Sequence, residues 1–156
     1  MLEDAIIEQV KSVFKKLENE IYISYDNSKH LKQSELENML ESIASTSNKI
    51  ILEKSQNTSN YPKFRIYNSK KVSSIAFVGV PGGHEFSSLV LAILNSDLKG
   101  KFPDQMLIER IKQIKGNISL KTFVSLSCEN CPEVVQNLNL ISILKKDFHH
   151  EMIDGE

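Results

Sequence analysis

A Cys-x-x-Cys pair stands where two contrasting patterns meet. Cys128 and Cys131, in Ser127-Cys128-Glu129-Asn130-Cys131-Pro132, follow an extended run and open a helical one. The run 119–126 is β-branched and aromatic with near-alternation, so it reads as a strand. Over 132–146, Val134, Leu138, Ile141 and Lys145 fall on one helical stripe and Leu140, Ile143 and Leu144 form a second apolar ridge, so the segment reads as a helix. Pro132 suits the first helical turn, where its missing N–H costs nothing.

That placement carries the chemistry. Free N–H groups and the positive dipole end at a helix N-terminus stabilise a thiolate. Cys128, one residue outside the helix, is the expected exposed nucleophile and Cys131, in the first turn, the expected resolving thiol. Glu129 and Glu133 oppose this, since nearby negative charge raises a thiol pKa. They are the only two cysteines of the chain, so any thiol redox chemistry runs through them. Two other readings stand beside the redox one: buried structural thiols, or half of a zinc site. Zinc needs further ligands, and the histidines are His30, His84, His149 and His150. The last two are adjacent and would point to opposite faces of a strand, so no metal site is expected. A strand-then-helix context favours the redox reading.

At 156 residues and 40% hydrophobic content the chain can bury a core. A net charge of -1 without a basic block argues against nucleic acid or an anionic membrane as partner. The acidic start Met1-Leu2-Glu3-Asp4 lacks a signal-peptide profile, and no apolar run approaches spanning length. The expectation is a cytoplasmic protein, where a close cysteine pair is more often catalytic than a staple.

Ile6, Ile7, Val10, Val13, Phe14 and Leu17 mark a leading helix, followed by a strand at 21–25. Ser34 with Glu37 reads as a capping box before a helix containing Leu36, Met39, Leu40 and Ile43. Strands are expected at 49–54, 63–67 and 72–80, with a polar loop at 55–60. After the turn cluster Gly79-Val80-Pro81-Gly82-Gly83, residues Phe86, Leu89, Val90, Ile93 and Leu94 mark another helix. Tyr61, Phe64, Tyr67 and Phe77 read as core or sheet-face aromatics. The order β-α-β, proline, β-β-α is that of a thioredoxin-like unit, and it restarts after a connecting helix with Leu107, Ile111 and Ile114. The first copy carries Asp26-Asn27-Ser28-Lys29 where the second has its cysteines.

With 125–140, 153–155 and the Gly82-Gly83-His84-Glu85-Phe86 segment taken together, the sequence resembles, over its whole length, the N-terminal domain of the flavoprotein component in the alkyl hydroperoxide reductase family. The resemblance implies an α/β chain of tandem thioredoxin-like folds: a cysteine-free unit over 1–98 with a leading helix at 4–18, a connecting helix in 99–118, and a second unit over 119–156 cut after β-α-β. It implies a dithiol–disulfide relay from a flavin reductase module to a peroxiredoxin, with Cys128 attacking and Cys131 resolving. Glu85 matches a family acid near the dithiol and is expected to help move a proton; a simple first-turn helix residue is the alternative. Pro62 occupies the place of a thioredoxin-fold cis-proline, although an ordinary turn before a strand fits as well.

The family continues where this chain stops. Missing with the rest of the second unit are the modules expected to hold FAD and NADH, and no G-x-G-x-x-G occurs, so no cofactor is expected on this chain. Either it is a fragment or its reading frame is shortened. The alternative function is a non-catalytic interaction or scaffold fragment with free thiols, and a homodimer is left open. Residues from Ser119 onward are expected to lean on the first unit or on another chain, with Val134, Val135, Leu138 and Ile141 exposed.

Overall fold

The computed structural model describes residues 2–70 and 75–156. Helix α1 (Asp4–Phe14) is followed by β1 (Ile21–Asn27), α2 (Gln33–Ala44), β2 (Ile50–Thr58), β3 (Lys63–Tyr67) and β4 (Ile75–Val78). A 3-10 turn (Gly83–Glu85) then leads directly into α3 (Phe86–Ser96). Helix α4 (Gln105–Lys112), β5 (Ile118–Val124), α5 (Cys131–Leu144) and β6 (Phe148–Asp154) complete the order. The early part of the strand expected at 72–80 lies outside the described residues.

The six strands form one sheet in the order β2-β1-β3-β4-β6-β5. β1 runs parallel to β2 and antiparallel to β3, β3 antiparallel to β4, and β6 parallel to both β4 and β5. The segment after residue 118 therefore extends the sheet of the first unit, with Ile75 opposite His150 and Phe77 opposite Met152. β1-α2-β2 and β5-α5-β6 are both parallel β-α-β units, the structural form of the internal repeat.

Alternate strand residues supply the core. Ile21, Ile23, Phe64, Ile66, Ile75, Phe77 and Met152 are buried in one cluster with Phe14 of α1, Leu36 and Leu40 of α2, Leu89 and Ile93 of α3 and Val135 of α5. Phe64 and Phe77 stack with ring centroids 5.0 Å apart. The opposite sheet face carries ion pairs, Arg65 with Asp26 at 2.9 Å and Lys63 with Glu151 at 3.1 Å, beside the exposed Phe123. Asp26, 2% exposed, also accepts from the hydroxyls of Ser55 and Ser59. At the far end of the core, the Asp97 carboxylate accepts from the backbone N–H groups of Glu18 and Asn19 and from the Asn19 side chain, tying the α1–β1 connection to the end of α3.

Several local expectations are corrected. The capping box at Ser34 does not form: α2 starts at Gln33 with Lys32 at the N-cap and no side-chain cap, and Gln33 Nε2 instead donates to Glu37 Oε1 and Asp26 O. β2 runs on to Thr58, through part of the expected polar loop, because the chain here pairs with the end of β1 and its Ser55 hydroxyl reaches Asp26. Tyr61 is not a core aromatic; it is 60% exposed and packs against the His30 ring at 5.6 Å.

Of Val134, Val135, Leu138 and Ile141, all expected to be exposed, only Val134 is; Leu138 and Ile141 are half-buried. Val134 is 49% exposed, whereas Val135 is fully buried, and Asn139, Leu140 and Ser142 are buried with it. A polar bridge turns the helix this way: Asn139 Oδ1 and His150 Nδ1 lie 2.7 Å apart, and His150 Nε2 and Thr122 Oγ1 are also 2.7 Å apart. Buried polar groups must be paired, so this bridge overrides hydrophobic periodicity.

Candidate functional site

Strand directions bring the chemistry-bearing loops to one end of the sheet. β1, β4, β5 and β6 all finish there and β3 begins there, with Lys63 opposite Val78. The loop after β5 holds Cys128, and the turn after β4 holds Glu85.

Cys128 and Cys131 are joined in a disulfide with their Cα atoms 5.5 Å apart. Both are half-buried. Cys131 is the first residue of α5, with Pro132 following in the first turn, and it packs against the apolar core. Cys128 sits three residues before the helix, its N–H donating to Ser125 O at 3.0 Å. Cys131 therefore falls in the first turn as expected, while Cys128 lies further from the helix than the one residue expected, leaving one sulfur in the loop and the other against the core. Glu129 and Glu133 are both exposed, which leaves their charges screened by water.

Glu85 ends the 3-10 turn and is fully buried, unlike a carboxylate that merely decorates an exposed first turn. Neither carboxyl oxygen closes a hydrogen bond among the described residues. Burial pushes its pKa up, while the Ser88 hydroxyl and the charge of His84 pull it down more weakly. A group in that position is held toward the neutral form. The 3-10 turn packs against α5, the helix that Cys131 opens. Gln136 of α5 donates to Ser87 and Ser88 Oγ at 3.2 and 3.3 Å, joining α5 to the start of α3.

The first unit has no such pair. Matching the start of α2 at Gln33 to that of α5 at Cys131 sets His30 opposite Cys128, somewhat later in the chain than the expected 26–29. Asp26 serves instead as the buried anchor for Arg65. Pro62 lies in a trans peptide, since no cis bond occurs among the described residues, and its carbonyl accepts from Gly79 N–H at 2.8 Å. His149 is exposed and His150 buried, on opposite faces of β6. Among the described residues no group of three or more His, Cys, Asp or Glu side chains could hold a metal, and no helix is long and apolar enough to cross a membrane.

Sequence reasoning passes over Gly83 and Leu126 as site residues. His84 N–H donates to the Leu126 carbonyl at 3.0 Å, so the Glu85 turn is bonded to the loop two residues before Cys128. The Gly82-Gly83 doublet is the available signal, because adjacent glycines often mark a close backbone approach.

No family model matches the chain. It is 35% identical over 156 residues to a Bacillus subtilis protein named NADH dehydrogenase, and 34% identical over 155 residues to the F component of the alkyl hydroperoxide reductase of Staphylococcus aureus. Each match covers 99% of this chain, which spans 30% of the length of those relatives. The crystal structure of the NTD_N/C domain of alkylhydroperoxide reductase AhpF from Enterococcus faecalis superposes with a TM-score of 0.90 at 26% identity, covering 99% of this chain and 80% of that one. The tandem thioredoxin-like α/β fold is thus the fold of this chain.

Proposed function

We propose that this chain, a homologue of the N-terminal domain of AhpF and an oxidoreductase module by fold and kinship, is a dithiol–disulfide electron relay between a flavin reductase module and a peroxiredoxin. The observation that carries the reading is the bonded Cys128–Cys131 pair at the start of α5. Kinship with a reductase over the whole chain supports the same reading.

In the reduced chain the Cys128 thiolate attacks one sulfur of the partner's disulfide. An S–S bond forms between Cys128 and the partner as the partner's own bond breaks, releasing one partner thiolate. The Cys131 thiolate then attacks Cys128 Sγ, closing the Cys128–Cys131 disulfide and releasing the second partner thiolate. Two electrons pass to the partner, and two protons are taken up by its thiolates. Glu85 supports the exchange by holding or yielding a proton beside the dithiol. The longer relatives' remaining length is where FAD and NADH chemistry would lie, and that module would return the electrons to Cys128 and Cys131 in a cytoplasmic setting.

Redox titration in thiol–disulfide buffers, read by alkylation and mass, is expected to show one two-electron couple between roughly -200 and -300 mV. Both cysteines remaining fully alkylated after mild oxidation would sink the relay and leave the interaction-fragment alternative.

Glu85→Gln tests the acid. Once Glu85 has given up its proton, its charge opposes loss of the neighbouring thiol proton, so Glu85→Gln should lower the apparent pKa for Cys128 alkylation by about one unit. Superimposable alkylation–pH curves would return Glu85 to a purely structural role.

A further inference from the structure

The turn that carries Glu85 meets the cysteine loop backbone to backbone. Gly83 has φ +53°, in the left-handed region, and a β-carbon there would lie 2.6 Å from the Leu126 carbonyl oxygen and 3.3 Å from its carbonyl carbon. The next residue, His84, donates its N–H to that same oxygen at 3.0 Å. Glycine is therefore required twice, for the dihedral and for the approach. The obstacle is main chain, which cannot rotate aside as a side chain would. One residue earlier the turn is open: a β-carbon on Gly82 would find nothing nearer than Val80 O at 4.0 Å.

We propose that the Gly83–His84 backbone, clamped on the Leu126 carbonyl, is the positioning element that sets the Cys128 loop against the Glu85 turn. The proposal rests on the dithiol reading above. Leu126 is held from the β4 side by this contact, and Cys128 N–H closes its own turn onto Ser125 O at 3.0 Å, so the loop is fixed on either side of Leu126. Glu85 follows His84 directly, and among the described residues neither carboxyl oxygen closes a hydrogen bond, so the backbone clamp, the packing around it and the nearby Ser88 hydroxyl set its place. Gly83 and His84 touch no reacting sulfur; they act through the two loops they join.

The charged groups around this junction are few, so an effect of the clamp on thiol ionisation can be read. His84 lies on the turn itself, α3 has no ionisable side chain, α5 offers only Glu133 besides Cys131, and the end of β6 and the segment after it add Glu156, which accepts from the Ser125 hydroxyl, and Asp154, which lies against Gly79 and pairs with Lys32. Glu129 sits in the cysteine loop, and both it and Glu133 are exposed.

The test compares Gly83→Ala with Gly82→Ala, the same change in the same turn, with thermal midpoints recorded for each. In Gly83→Ala the midpoint of Cys128 alkylation against pH should fall by about one unit, toward that of Glu85→Gln, as the loops part. Gly82→Ala should follow the wild-type curve. A Gly83→Ala curve superimposed on wild type overturns the clamp, and so does an equal displacement in Gly82→Ala. If Gly83→Ala does not fold, amide exchange in the unaltered protein decides: the His84 N–H should be protected by about a hundredfold over an open amide, and an unprotected His84 overturns the proposal. Failure of the wild-type dithiol to form a redox couple would instead remove the relay reading, a result separate from either curve.

Discussion

Cys131→Ser is expected to accumulate a stable mixed disulfide between Cys128 and a peroxiredoxin partner, while Cys128→Ser forms none. The asymmetry follows from where the two sulfurs sit. Cys131 starts α5 and packs against the core, which suits a thiol that attacks only its neighbour three residues away. Cys128 lies in the preceding loop, half-buried like Cys131 but not part of the apolar packing that holds Cys131. With the resolving thiol gone, the second displacement has no internal nucleophile, and turnover should drop by at least about a hundredfold with the adduct trapped. Non-reducing mass measurement after mixing reduced variants with an oxidised peroxiredoxin gives the result directly. Trapping by Cys128→Ser would exchange the two roles, and adducts with neither variant would count against the relay.

What is legible in the sequence is local. The helix start at the cysteines can be read because Pro132 and a change of periodicity bracket it within a few residues, and the repeat can be read because β1-α2-β2 and β5-α5-β6 carry the same order of patterns. What cannot be read depends on partners far along the chain. The inward face of α5 is set by Asn139 meeting His150 and Thr122, residues that a count of apolar positions leaves out. The extra length of β2 comes from Ser55 reaching Asp26, which lies 29 positions earlier in sequence. Ser34 loses its capping role because Gln33, one residue earlier, spends its amide on the end of β1. The Glu85 site shows both sides: the motif is visible, but that its carboxyl is buried without a hydrogen bond is a property of packing.

The same buried bridge makes acid a specific stress on the helix that carries the dithiol. His150 is 2% exposed, and burial lowers its pKa from 6.5 to about 4, with Glu151 opposing weakly. A neutral ring protonated on Nδ1 donates to Asn139 Oδ1 and accepts the Thr122 hydroxyl at Nε2, so the native state prefers the uncharged form. The folded pKa is depressed below the unfolded one. Stability from this group is therefore complete above pH 6.5, and falls as the unfolded chain takes up a proton between 6.5 and about 4. At about 1.4 kcal/mol per pH unit of that gap, the loss reaches roughly 3 kcal/mol. Asp26 and Asp97 titrate below their usual 3.8, Asp26 because Arg65 and the serine hydroxyls outweigh its burial and Asp97 because the Asn19 and Glu18 N–H groups do; their stabilisation is lost only as pH falls further. The two acid steps are thus separated on the pH axis. Glu85, whose raised pKa makes the fold gain stability as pH falls, contributes alike to both proteins, so urea midpoints at about pH 7, 5.5 and 4.5 should fall for the wild type relative to His150→Gln, which cannot charge. Parallel declines in the two proteins would show that the acid sensitivity resides elsewhere than in the bridge beneath α5.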